Sequence, residues 1–99
     1  MRYFAFYSAS RVPSVTISPS TGTVDEGGYV NFYCSATGDP EPTKVWSRVD
    51  GVLPSGAREE NGYLVISGVK YEDAGVYRCT ATNSHGFDDG DATLIVNQS

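Results

Sequence analysis

The sequence has no apolar run approaching the roughly 20 residues needed to cross a bilayer, so no membrane insertion is expected and the chain reads as soluble. It also lacks a basic cluster. Its seven bases (Arg2, Arg11, Lys44, Arg48, Arg58, Lys70 and Arg78) are spread singly and are outnumbered by twelve acids. Readers of phosphate and sulfate concentrate positive charge on one surface. At a net charge of −5, neither nucleic acid nor heparin is an expected ligand, unless folding gathers several bases on one face. Histidine is nearly absent: His85 stands alone in a polar turn, without ligands at metal spacing. Asp88-Asp89-Gly90-Asp91 suggests calcium but lacks the downstream acid of the calcium-loop pattern, so it reads as a solvated strand start and no metal is expected. There is no Gly-x-Ser-x-Gly, no phosphate-cradling glycine loop and no Cys/His nucleophile pair. The paired acids Glu59-Glu60 fall in a connecting segment with no evident pocket. No enzyme and no cofactor are expected.

What is present is alternation. The 99 residues suit one domain. Residues 1–11 stand apart as an N-terminal tail, read as linker or expression remnant, with an extra aromatic edge strand as the alternative. Their apolar part is too short for a signal-peptide core. The domain is expected over 12–99. Within it, apolar residues recur with a period of two. Val15 and Ile17 mark a first strand, which Thr21 to Val24 are read as extending past a kink near Pro19. Val30, Phe32, Cys34 and Ala36 alternate with polar neighbours. Further strands are expected at 44–49, 63–67 (Leu64 and Ile66 inward), 76–82 and 88–96. Asp50-Gly51 and Asn61-Gly62 are two-residue hairpin signals. Residues 70–75 form a corner. Seven or eight short strands divided by turns predict two antiparallel sheets packed face to face.

Four core positions carry more. Cys34 and Cys79 both sit mid-strand at inward parity. Trp46 lies twelve positions after Cys34, also inward. Tyr77 precedes Cys79 by two, so both point the same way, in Asp73-Ala74-Gly75-Val76-Tyr77-Arg78-Cys79. In this order and spacing they resemble the hallmarks of an immunoglobulin domain, and more closely the intermediate set, over about Val12 to Val96. The run Val45-Trp46-Ser47-Arg48-Val49-Asp50-Gly51-Val52-Leu53-Pro54 is similar to immunoglobulin repeats of perlecan-type basement-membrane proteoglycans.

The resemblance implies an all-β sandwich of two antiparallel sheets, stapled by a Cys34–Cys79 disulfide with Trp46 packed on it. It implies a corner held by the Tyr77 hydroxyl, and a salt bridge between Arg58 and Asp73 at the sandwich end. The alternative for the cysteines is a pair of free buried thiols in an intracellular, muscle-type domain. The resemblance further implies a secreted repeat of a basement-membrane rod whose partners are extracellular-matrix or cell-surface proteins, monomeric when isolated. A passive spacer and an ectodomain repeat of a cell-adhesion receptor stand as alternatives. Parity puts Val45, Ser47, Val76, Arg78, Thr80 and Ile95 on the outer face of the Trp46 sheet, the candidate partner face. Asn97-Gln98-Ser99 fits the N-glycosylation sequon.

Overall fold

The computed structural model of the chain describes residues 11–98. Eight strands form two four-stranded sheets. They are β1 (Arg11–Ser18), β2 (Thr21–Asp25), β3 (Tyr29–Asp39), β4 (Thr43–Arg48), β5 (Ala57–Glu60), β6 (Tyr63–Ser67), β7 (Gly75–Asn83) and β8 (Gly86–Asn97). One sheet has the order β1-β3-β6-β5 and the other β2-β8-β7-β4. All pairings are antiparallel except β2 with β8. The expected sandwich is present.

Pro19, without an N–H to offer a ladder, separates β1 from β2, and the chain changes sheets there. The kink expected near Pro19 is therefore a crossing, not a bend within one strand. Arg11, assigned to the tail, instead opens β1 opposite Asp39. The rest of the tail reading lies outside the described residues.

Asn61 and Gly62 both have positive φ, 50° and 89°. That suits a primed two-residue turn, and β5 and β6 pair across it in register from Glu60↔Tyr63. Asp50-Gly51 behaves differently. Its turn makes one isolated bridge, Arg48↔Gly51, and does not lead directly into a hairpin partner for β4. Pro54 cannot donate to a ladder, and the next strand, β5, joins the opposite sheet. β5 corrects the reading of Glu59-Glu60 as connecting segment. Its alternation is weak because only Ala57 is turned inward enough to be half-buried, while Arg58, Glu59 and Glu60 are all exposed.

The core lies between the sheets. Phe32, Cys34, Leu64, Ile66, Val69, Tyr77, Cys79, Ala92 and Leu94 are buried, with Trp46 and Val96 nearly so. Cys34 and Cys79 form a disulfide. Removing water from these side chains is the main driving force, at about 25 cal/mol per Å² of apolar surface. Gly90 has a specific task. It sits opposite Cys79, and a Cβ there would come within 2.8 Å of Ile17 and 3.0 Å of Val15. Its missing side chain lets β1 pack closely over β8.

Candidate interaction face

Two features of the β2-β8-β7-β4 sheet bear on function: the clasp that fixes its strands and the face it turns outward. The clasp begins at the corner before β7. Tyr71–Asp73 form a single 3₁₀ turn. The Asp73 carboxylate accepts a 2.8 Å hydrogen bond from the Lys70 N–H. The buried Tyr77 hydroxyl donates to the Asp73 carbonyl at 2.5 Å, as the resemblance implied for this tyrosine. Burial pushes the Tyr77 phenol pKa up, offset in part by the nearby Arg48 cation and reinforced by Asp73.

The salt bridge expected between Arg58 and Asp73 is corrected. Arg58 Nε pairs with Glu60, its neighbour on the same side of β5, at 3.0 Å in an exposed position. Asp73 is turned inward to its own backbone instead. The cation at the corner is Arg48. Its terminal nitrogen Nη2 donates to the carbonyls of Glu72 at 2.6 Å and Ala74 at 2.9 Å, and the guanidinium carbon lies 5.6 Å from the Tyr77 ring centroid. Parity in the sequence indicates the side of Arg48 but not its target. Arg48 follows Trp46 by two, so it points toward the same side, and only a long side chain can reach the corner from there.

A second clasp closes the free edge of β4. Glu59 Oε1 accepts from the Trp46 backbone N–H at 3.0 Å, and the indole Nε1 donates to the Gly62 carbonyl at 3.1 Å. The β5–β6 hairpin thus occupies donors that an edge strand would otherwise offer to another chain. This is the role of an acid for which the sequence suggested no partner.

On the outer face, cross-strand register sets which candidates meet. Val45 stands opposite Thr80, and Thr80 opposite Asp89. Ser47 stands opposite Arg78, and Arg78 opposite Asp91. Val76 lies opposite Thr93. Ile95 is apart. It pairs with Thr23 of β2, six residues along β8 from Asp89, which is about 20 Å at the rise of a strand. Val45 is 53% exposed and Ile95 45%, while Val76, Arg78 and Thr80 are half-buried. The most exposed apolar group of this sheet is one the sequence did not nominate: Phe87, at 66%, opposite Thr82. Starting β8 at Asp88 left Phe87 outside any strand. Extending the strand to Gly86 gives Phe87 the outward parity of Asp89 and Asp91.

Arg78 grips Asp91 with two bonds, Nε to Oδ1 at 2.8 Å and Nη2 to Oδ2 at 3.0 Å. This hydrogen-bonded pair holds the Asp91 carboxyl below its usual range and the Arg78 guanidinium above its own. Asp88, on the inward side of β8, accepts from the Val15 N–H at 2.8 Å. The acids of the candidate calcium segment therefore serve the fold separately. Among the described residues, no group of three or more His, Cys, Asp and Glu could hold a metal ion. His85 is exposed in the turn before β8, and its N–H donates to Asn83 at 2.8 Å.

A face with exposed apolar groups beside one hydrogen-bonded ion pair offers contact area and a few fixed hydrogen-bonding groups. A family model described as immunoglobulin domain matches residues 12–83. The mouse (Mus musculus) basement membrane-specific heparan sulfate proteoglycan core protein is 44% identical over 75 residues, which is 76% of this chain and 2% of that protein. Cell adhesion molecule 4 of Xenopus laevis is 33% identical over 85% of this chain and 22% of its own length. The structure of extracellular domains 3–5 of Drosophila OTK matches with a TM-score of 0.74 at 33% identity, covering 87% of this chain and 32% of that one. The chain thus spans only a small part of the relatives it matches.

Proposed function

The chain belongs to the immunoglobulin domain family, and from that premise we propose that it is an extracellular protein-interaction module, one repeat of a basement-membrane proteoglycan. Its contact surface is the outer face of the β2-β8-β7-β4 sheet. The observation that carries this reading is the concentration of exposed apolar groups, Val45 and Phe87, beside the fixed Arg78–Asp91 pair on one sheet face. Exposed apolar area rimmed by polar groups marks protein-binding surface. The matrix assignment is supported by the similarity to the mouse proteoglycan core protein. The relatives' whole-protein partners do not follow from a match that covers so little of their length.

Two variants test the face. Val45→Asp places a charge among the apolar groups, and Arg78→Glu reverses the central cation. The expected result is loss of matrix-protein capture in a pull-down, with the unfolding midpoint retained. Capture unchanged in both variants would exclude this face.

A spacer reading is favoured by one fact: the chain spans 2% of the mouse protein, so a repeat here has many neighbours to share the binding. An isolated domain that captures nothing, while a multi-repeat fragment does, selects the spacer.

A further inference from the structure

Four asparagines occur in the sequence, Asn31, Asn61, Asn83 and Asn97, and only Asn97 has Ser or Thr two positions on, across a residue other than proline. Its place in the fold makes that motif usable. Asn97 is the last residue of β8 and is exposed. It shares the outward parity of Thr93 and Ile95, so its side chain leaves the sheet away from the core. Its Nδ2 is 3.2 Å from the Asp25 carboxylate, a surface contact between two exposed side chains. An amide nitrogen carries two hydrogens. One is replaced when a sugar is attached and one remains, and the surface position of the Asp25 contact leaves the amide reachable from solvent. The chain also forms its one disulfide, which persists in the oxidising secretory compartments where lipid-linked oligosaccharides are available.

We propose that Asn97 is N-glycosylated. The inference rests on the extracellular reading above. In the step, a new bond forms between Asn97 Nδ2 and the first sugar carbon of a lipid-pyrophosphate-linked oligosaccharide. The bond from that carbon to the pyrophosphate oxygen breaks, the lipid pyrophosphate departs with the electron pair, and Nδ2 gives up one proton. The glycan stands at the Ile95 end of the outer face. Asn97 lies eight residues along β8 from Asp89, about 26 Å at the rise of a strand, so the region around Val45 and Arg78 stays open.

The test is secretion of the full chain from animal cells behind a secretion signal and ahead of a C-terminal tag, followed by intact mass with and without an amidase that releases N-glycans. The expected result is loss of one oligosaccharide mass on release, with Asp found in place of Asn97 in the terminal peptide. Asn97→Gln and Ser99→Ala each abolish the modification, and Ser99→Thr keeps it. Ser99→Ala and Ser99→Thr both keep Asn97 and Asp25 themselves, so their opposite outcomes read the motif rather than the Asn97–Asp25 contact. A secreted, disulfide-bonded chain of unmodified mass, in both the parent and Ser99→Thr, overturns the proposal while leaving the extracellular reading in place. An oligosaccharide that persists in Asn97→Gln also overturns it. A chain that is retained in the cell, or that carries two reactive thiols, overturns the extracellular reading and this proposal with it.

Discussion

Along β4 and β7, neighbouring residues live in different media. Trp46, Tyr77 and Cys79 point between the sheets and are almost wholly buried, while Val45, Arg78 and Thr80, one position away, face out. The inward set is over-determined. Each member is fixed by a covalent bond, by packing or by a hydrogen bond to backbone, and neighbouring groups converge on one turn: Tyr77 bonds the Asp73 carbonyl while Arg48 bonds those on either side of it. The outward set is held by little more than strand register and one ion pair. The fold therefore tolerates change on its outward face and concentrates its constraints on the inward one. The residues that identify the fold and those proposed for binding lie on opposite sides of the same strands.

The largest test of that contrast is removal of the staple. Replacing Cys34 and Cys79 by Ala is expected to cost about 4 kcal/mol, the chain-entropy value for a loop of 45 residues, read from the urea midpoint. This is a large part of the roughly 5–15 kcal/mol available to a small domain. A loss under about 1 kcal/mol would break the contrast. Next, Arg48→Met leaves two backbone carbonyls without their charged donor and is expected to cost about 2–3 kcal/mol, whereas Arg58→Met stays within about 0.5 kcal/mol. Equal effects would restore Arg58 to the corner role that the family resemblance implied. Tyr77→Phe removes one buried hydrogen bond and is expected to cost about 1–2 kcal/mol. A change below 0.5 kcal/mol, the usual size for surface sites, would mean that the corner is held by the Arg48 clasp alone.

Outward substitutions sharpen the comparison from the other side. Val45→Asp is expected to shift stability by no more than about 0.5 kcal/mol, with the effect appearing in capture instead. The smallest expected effect is acid-side. Asp91 ionises below its unfolded counterpart because Arg78 hydrogen-bonds the carboxylate. Its contribution is thus present above the unfolded carboxyl range near 3.9 and is lost as pH falls through the lower folded pKa. Asp91→Asn should flatten only that acid limb in a pH series of unfolding midpoints. A change near neutral pH would assign Asp91 some other role.

The inward face was legible because burial imposes period and chemistry on residue choice. Cys34, Trp46, Tyr77 and Cys79 could be placed from alternation, and the structure brings them together. Asn61-Gly62 was legible because a primed turn needs positive φ at both positions. Three things were not legible. β5 has no alternation, since its middle and end face solvent. Phe87 fell outside its strand because glycine and asparagine before it read as turn. Arg48 and Arg58 could not be ranked for the corner, because a long cation's target depends on which strand ends lie within its reach.

By itself the sequence determined the class of fold, because two-residue periodicity is a local consequence of burying one side of each strand, while the spaced Cys34, Trp46, Tyr77 and Cys79 carried the resemblance to a known family. Only the tertiary structure decided the partners of exposed charge. Glu59 to the Trp46 N–H, Arg48 to the corner carbonyls and Arg78 to Asp91 are settled by cross-strand register and by which sheet each strand joins. A flexible side chain several bonds long can satisfy its charge in many ways, and only the placement of neighbouring strands leaves one of them within hydrogen-bonding distance.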